Sequence, residues 1–215
     1  MFYRKSQQGF TLIEMLVSLA LFTIVVTMSV GTLLILVDAN ARAQNTHLVV
    51  TNLTFALDSM TREIRTAFNW SCGDSGNVEP TVPIRTVVSP CLVPGNYISI
   101  VESVDRLTAN YASERVTYWY DNDYWTSRSG IEGHGAILRK LGADTGDGPW
   151  TPLTAEEIVI EEMGFSVTGT ARYGDGDTEQ PRATIYIKGR AGVVDTTTKE
   201  FTVQTTVTQR LFDTL

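Results

Sequence analysis

From Met15 to Val37 the chain runs 23 residues without a charge, reading MLVSLALFTIVVTMSVGTLLILV. As an α-helix such a run is about 35 Å long, enough to span a hydrocarbon core of about 30 Å. Buried helices of soluble proteins rarely stay apolar on every face for so many turns. The run therefore reads as a transmembrane helix. Arg4 and Lys5 precede it and Asp38 follows it. Basic flanks stay in the cytoplasm, so the N-terminus is expected inside and the remaining body outside. A cleaved secretory signal has a shorter apolar core with a small-residue cleavage site after it. Here the core is long, no A-x-A site follows, and Ser6, Gln7, Gln8 and Gly9 separate the basic start from it. The segment is expected to be retained as an anchor.

Composition bounds what the rest can do. The chain has 215 residues, enough for one domain with an appendage. Its formal net charge is −7, whereas binding to phosphate backbones demands clustered Lys and Arg. No nucleic-acid partner is expected. Two cysteines and two histidines leave little material for a zinc site. No metal and no cofactor are expected.

One residue breaks the apolar pattern at its edge. Glu14 follows Phe10, Thr11, Leu12 and Ile13. A carboxylate at membrane depth costs about 3 kcal/mol unless it is paired. It marks the membrane boundary, or it awaits a cation. Cleavage before Phe10 would create one, an α-amino group one helical turn away.

The residues Gly9-Phe10-Thr11-Leu12-Ile13-Glu14, in register with a short basic leader and a long apolar run, resemble the processing site of type IV prepilins and pseudopilins. The resemblance implies cleavage after Gly9 by a prepilin peptidase and N-methylation of Phe10. It implies that Glu14 serves assembly by pairing with a terminal amine in a growing filament. Partners would be the peptidase, inner-membrane lipid, and other major and minor pilins or pseudopilins. Loss of Arg4 and Lys5 with the leader would take the formal charge from −7 to −9. The expected organisation is a leader over 1–9, a transmembrane and filament-core helix over 10–38, and an extracytoplasmic body over 39–215.

Beyond the membrane run, Val49, Leu53, Ala56, Leu57, Met60, Ile64, Ala67 and Phe68 recur at spacings of three and four, the pattern of an amphipathic helix. No proline interrupts positions 10–70, so one long helix is the simplest reading, softened only at Gly31. Asp58 and Arg62 stand four apart and can pair. The apolar stripe is expected to pack on a sheet. Past Phe68 the composition turns to Pro, Gly and β-branched residues. Strands are expected at Tyr97–Val101, Arg115–Tyr120, Tyr124–Ser127, Ala136–Lys140, Gly164–Gly169, Ala183–Lys188 and Phe201–Thr208. Asp121-Asn122-Asp123 is expected to turn a hairpin between the second and third of these. A long helix followed by strands predicts an α+β fold, a pilin-like helix packed on an antiparallel sheet.

Arg115–Tyr120 with Ile137-Leu138-Arg139 resembles the TY…LR region of J-type minor pseudopilins of type II secretion and of PilW-like minor pilins. Asp58–Ile64, Gln180–Ile185 and Phe201–Arg210 resemble the helix end and C-terminal strands of that group. The resemblance implies a minor subunit in a tip or priming complex. Separately, Cys72 and Cys91 both fall in the extracytoplasmic body. A bridge between them would close an irregular segment and contribute about 3 kcal/mol; the alternative is two free thiols.

Signals for catalysis are weak, and no enzyme activity is expected. Gly73-Asp74-Ser75-Gly76 is similar to a serine-protease nucleophile motif but continues with Asn77. Such a serine needs a histidine base, and His47 and His134 are not placed for one. Gly142–Gly148 lacks the Lys-Ser/Thr of a phosphate loop. Asp175, Asp177 and Glu179 alternate as calcium ligands could, but acidic hairpin turns look the same. Asn52-Leu53-Thr54 and Asn69-Trp70-Ser71 match the glycosylation triplet. Trp119, Tyr120, Tyr124 and Trp125 form an aromatic cluster expected to pack in a hairpin or core. The competing functional reading is a surface binding module displayed on a pilus, for DNA uptake or glycan adhesion. Acidic charge disfavours the first, and only the aromatic cluster hints at the second.

Overall fold

A computed structural model describes residues 9–76, 78–80, 89–102, 113–130, 132–142, 149–170, 179–191 and 199–210. Helix α1 runs Leu12–Thr66. The chain divides into two compact units, Met1–Gln44 and Asn45–Leu215. In the first unit the described helix is apolar and exposed on all sides, from Leu12 at 78% to Leu36 at 65% exposure. It is long and apolar enough to cross a membrane.

The second unit begins with the amphipathic part of α1. Val49, Leu53, Ala56, Met60 and Ile64 are buried, one stripe at the spacing the sequence shows. The helix ends at Thr66 because the chain turns into a strand. Its orphaned end carbonyls find donors: Ala67 donates to Glu63 and Arg210, far along the chain, donates to Arg65.

Among the described residues nine strands follow: β1 Phe68–Gly73, β2 Cys91–Gly95, β3 Tyr97–Val101, β4 Arg115–Asp121, β5 Ala136–Leu141, β6 Thr151–Pro152, β7 Ile158–Thr168, β8 Arg182–Ala191 and β9 Lys199–Thr208. They form two antiparallel sheets, ordered β1-β3-β4-β5-β6 and β2-β7-β8-β9. The main core joins helix and both sheets, with Met60, Ile64, Trp70, Ile98, Tyr118, Ile160, Phe165 and Ile187 among its buried members. This is the α+β layout expected of a pilin-like chain.

The disulfide joins Cys72 on β1 to Cys91 on β2, so it ties one sheet to the other. Backbone bonds reinforce it there: Cys72 donates to Ser89, and Ser89 donates to Trp70. Gly73 and Gly95 meet in the same place. A Cβ on Gly95 would run into the Gly73 carbonyl, so only glycine allows the two strands this close.

Three sequence expectations are corrected. Tyr124–Ser127 is not a strand, and Asp121–Asp123 does not turn a hairpin into it. Residues 122–125 form turns and lead into a short helix, α2 Thr126–Ser129. Asp121 accepts from the Asp123 N–H at 3.0 Å and Asp123 accepts from the Thr126 hydroxyl at 2.6 Å. These carboxylates give the backbone a local alternative to a ladder. The hairpin partner of β4 is β5, with Asp121 opposite Ala136. Second, Phe68 opens β1 rather than closing the helix. Third, β7 starts six residues before Gly164, with Ile158, Val159 and Ile160 all buried. A run buried on both faces lacks the alternation that marks a strand.

Candidate functional site

The segment Gly9–Glu14 is where the sequence places processing and assembly. Gly9, Phe10 and Thr11 precede the helix and are exposed, with Phe10 at 75% exposure. Thr11 starts α1. Its carbonyl accepts from the N–H groups of Glu14 and Met15 at 3.1 and 3.2 Å, and its hydroxyl lies 3.4 Å from the Glu14 N–H. Thr11 and Glu14 thus stand in the three-residue spacing of a capping box. A carboxylate in the first turn also faces the positive end of the helix dipole. The T-x-x-E spacing of Thr11 and Glu14 is the sequence signal for this role, distinct from a search for a cation partner.

Downstream, the apolar unit carries several hydroxyls, and four of them bond within the helix. Thr23 donates to Ala20, Thr27 to Thr23 and Ile24, Ser29 to Val25, and Thr32 to Met28, all at 2.8–2.9 Å. Hydrocarbon offers no partner to a polar group, so hydroxyls that serve themselves are the tolerated kind.

In the body, three of the segments singled out for their J-type and PilW-like resemblance converge on one side chain. Tyr118 on β4 is the cross-strand partner of Arg139 on β5. Both reach Glu63 near the end of α1. The Tyr118 hydroxyl donates to Oε2, and Arg139 donates from Nε at 3.2 Å and from Nη2 at 3.0 Å. Burial, then the Glu63 carboxylate, pushes the Tyr118 hydroxyl well above its ordinary pKa. Burial opposes the charge on Arg139, but Glu63 more than compensates and holds its pKa up. Glu102 is raised by burial and by the neighbouring Glu63 charge. This fork ties the helix to the five-stranded sheet.

The remaining candidates are dispersed. Ser75 bonds Asn96 Oδ1 through its N–H at 2.9 Å and its hydroxyl at 3.3 Å. His134 is buried elsewhere, its Nδ1 2.6 Å from the Ser129 hydroxyl, and His47 lies exposed on α1. The structure brings neither histidine to Ser75 among the described residues. Asn69 accepts from buried Arg115 at 2.9 Å and adopts φ 52°, and the Asn52 amide donates to Leu48. The aromatic cluster splits across its sheet. Trp119 packs with Leu138, Tyr97, Tyr124, Trp125 and Trp150, whereas Tyr120 enters the main core and donates to the Ile160 carbonyl. Gly142 and Glu179 are described. Asp175, Asp177, residues 143–148 and the leader before Gly9 lie outside the described residues.

The chain matches the family model for the prokaryotic N-terminal methylation motif over residues 4–30. The matched stretch contains Gly9, Phe10, Glu14 and most of the apolar run, and it ends before the body. No curated protein and no solved structure matches the chain. The N-terminus therefore carries a methylation motif similar to that of type IV pilin-like proteins.

Proposed function

We propose that this chain is a minor pilin or pseudopilin, a structural subunit rather than an enzyme. It is made as an inner-membrane precursor with the N-terminus in the cytoplasm and the body outside. Prepilin peptidase cuts after Gly9, and Phe10 is N-methylated. The apolar helix then leaves the bilayer for a filament core, at or near the tip of a type IV pilus or a type II secretion pseudopilus. The observation that carries this reading is the methylation motif over residues 4–30, set on a fully exposed apolar helix that leads into an α+β body. The domain boundaries of the proposal are 1–9, 10–38 and 39–215. The J-type or PilW-like assignment draws support from the Tyr118–Arg139–Glu63 fork, which unites three of the segments that resemble that group.

Glu14 supplies the charge that registers one subunit on its neighbour once Phe10 has become a terminal amine. Intact mass and N-terminal sequencing of protein from native membranes test the processing step. Loss of Met1–Gly9 and a methylated Phe10 are expected; a retained leader would remove the chain from the pilin pathway. Glu14→Ala is expected to insert and be cleaved normally but to be lost from sheared filaments. Incorporation equal to wild type would refute the assembly role.

A further inference from the structure

An unpaired strand edge is a template for another strand, and proteins blunt such edges by shortness, proline, bulges or inward charge. Four strands flank the two sheets of this body, and three are blunted. β6 has two residues, one of them Pro152. β2 contains Pro94 and shifts register between Cys91 and Gly95. β1 shifts register between Phe68 and Ser71, and Ser89 already bonds along its side. β9 has none of these features. It pairs with β8 through ten consecutive partners without a register shift, from Arg182 opposite Thr208 to Ala191 opposite Lys199. It holds no proline or glycine, and from Phe201 to Thr208 it is uncharged. Among the described residues no strand pairs with its outer side. Alternate backbone N–H and C=O groups of β9 therefore point away from β8.

The side chains also stop short of closure at this edge. On β8, Ile185 and Ile187 are fully buried. Their partners on β9, Thr205 and Val203, are only half-buried, as is Phe201. A further strand beside β9 would cover this inward row.

We propose that β9 pairs antiparallel with β9 of a second copy of this chain. The sequence is self-complementary for that arrangement. Centred on Gln204, the pairing sets Phe201 opposite Val207, Thr202 opposite Thr206, and Val203 opposite Thr205. Glu200 falls opposite Thr208, so no like charges oppose each other. Inward residues meet inward residues, as register requires. The interface is isologous and closes at two copies, merging two four-stranded sheets into one of eight strands. This surface goes beyond the filament reading and does not rest on it.

The test uses the full chain in detergent micelles, with the native Cys72–Cys91 bridge intact. Gln204→Cys places two cysteines opposite each other on the two-fold axis, with Cα atoms about 5 Å apart. That lies within disulfide reach, so mild oxidation is expected to give a covalent dimer. Thr206→Cys places its two copies about 13 Å or more apart along the strands, and should not crosslink. A Thr202→Lys, Thr206→Lys chain opposes lysine to lysine twice and is expected to dimerise about tenfold or more weakly. Mixing it with a Thr202→Glu, Thr206→Glu chain should restore dimers as heterodimers, which misfolded variants could not do. A monomer, equal crosslinking by both cysteine variants, or association indifferent to these charges would overturn the proposal. The last two outcomes would assign the contact to the apolar helix, and pairing only with a different protein would also overturn it.

Discussion

His134 shows how one buried side chain sets a pH dependence. It is fully buried, and burial holds its pKa below the ordinary imidazole value, against the opposing pull of the Ile158 and Glu156 carbonyls. In the unfolded chain the imidazole takes up a proton near about pH 6.5; in the folded protein it does so only at lower pH. The unfolded state thus binds more protons in that interval, and stability falls as pH drops through it. Urea midpoints measured between neutral and mildly acidic pH are expected to decline in the wild type. The decline should be shallower in His134→Asn; equal slopes would show that other groups carry it. Nothing in the sequence announced this burial. Gly133-His134-Gly135 reads as a loop, and only the strands and the α2 segment around it enclose the ring. Glu14 is conspicuous by contrast, because it is a carboxylate at the edge of a long apolar run. Its neighbour Thr11 was equally visible but was not read as a cap.

Among the elements, periodicity made the helix and the alternating strands legible. β3 matched its expected bounds, and β4, β5, β8 and β9 were found within a residue or two of theirs, β8 running further at its C-terminal end. The losses have physical causes. β1 and β2 are short, irregular in register and rich in Gly, Cys and Pro, so tertiary bonds rather than pattern define them. Tyr124-Trp125 had the composition of a strand, but its aromatic rings pack beside Trp119 from a turn. The tie between helix and sheet was hidden for another reason. Glu63, Tyr118 and Arg139 are distant in sequence, and only β4–β5 pairing brings two of them to the third. Arg139→Met removes the ion pair and leaves the Glu63 carboxylate, 16% exposed, with Tyr118 alone. A loss of about 2 kcal/mol in unfolding free energy is expected. Tyr118→Phe combined with it should cost less than the sum of the two, since both bonds end on one acceptor. Strict additivity in a double-mutant cycle would show that the three do not act together.

At the scale of the whole molecule, the body is two sheets and one helix stretch sharing a core, with a single covalent crosslink between the sheets. Cys72 and Cys91 are 19 positions apart, so the bond restricts a modest loop in the unfolded chain. Its removal in a Cys72→Ser, Cys91→Ser variant is expected to cost about 3 kcal/mol. Chemical denaturation of wild type with and without reductant, beside the variant, checks this. Reduced wild type should match the variant, and a variant as stable as the oxidised protein would show that the core alone holds the sheets.

The hydroxyls of the apolar helix bear on how such a chain could change surroundings. Thr23, Thr27, Ser29 and Thr32 satisfy themselves on the backbone of their own helix. They ask nothing of whatever lies next to them. Acyl chains and neighbouring protein are then equivalent solvents as far as polarity goes. Which of the two wins depends on the shape of the contacting surfaces, and transfer in either direction requires none of these four side chains to break a hydrogen bond.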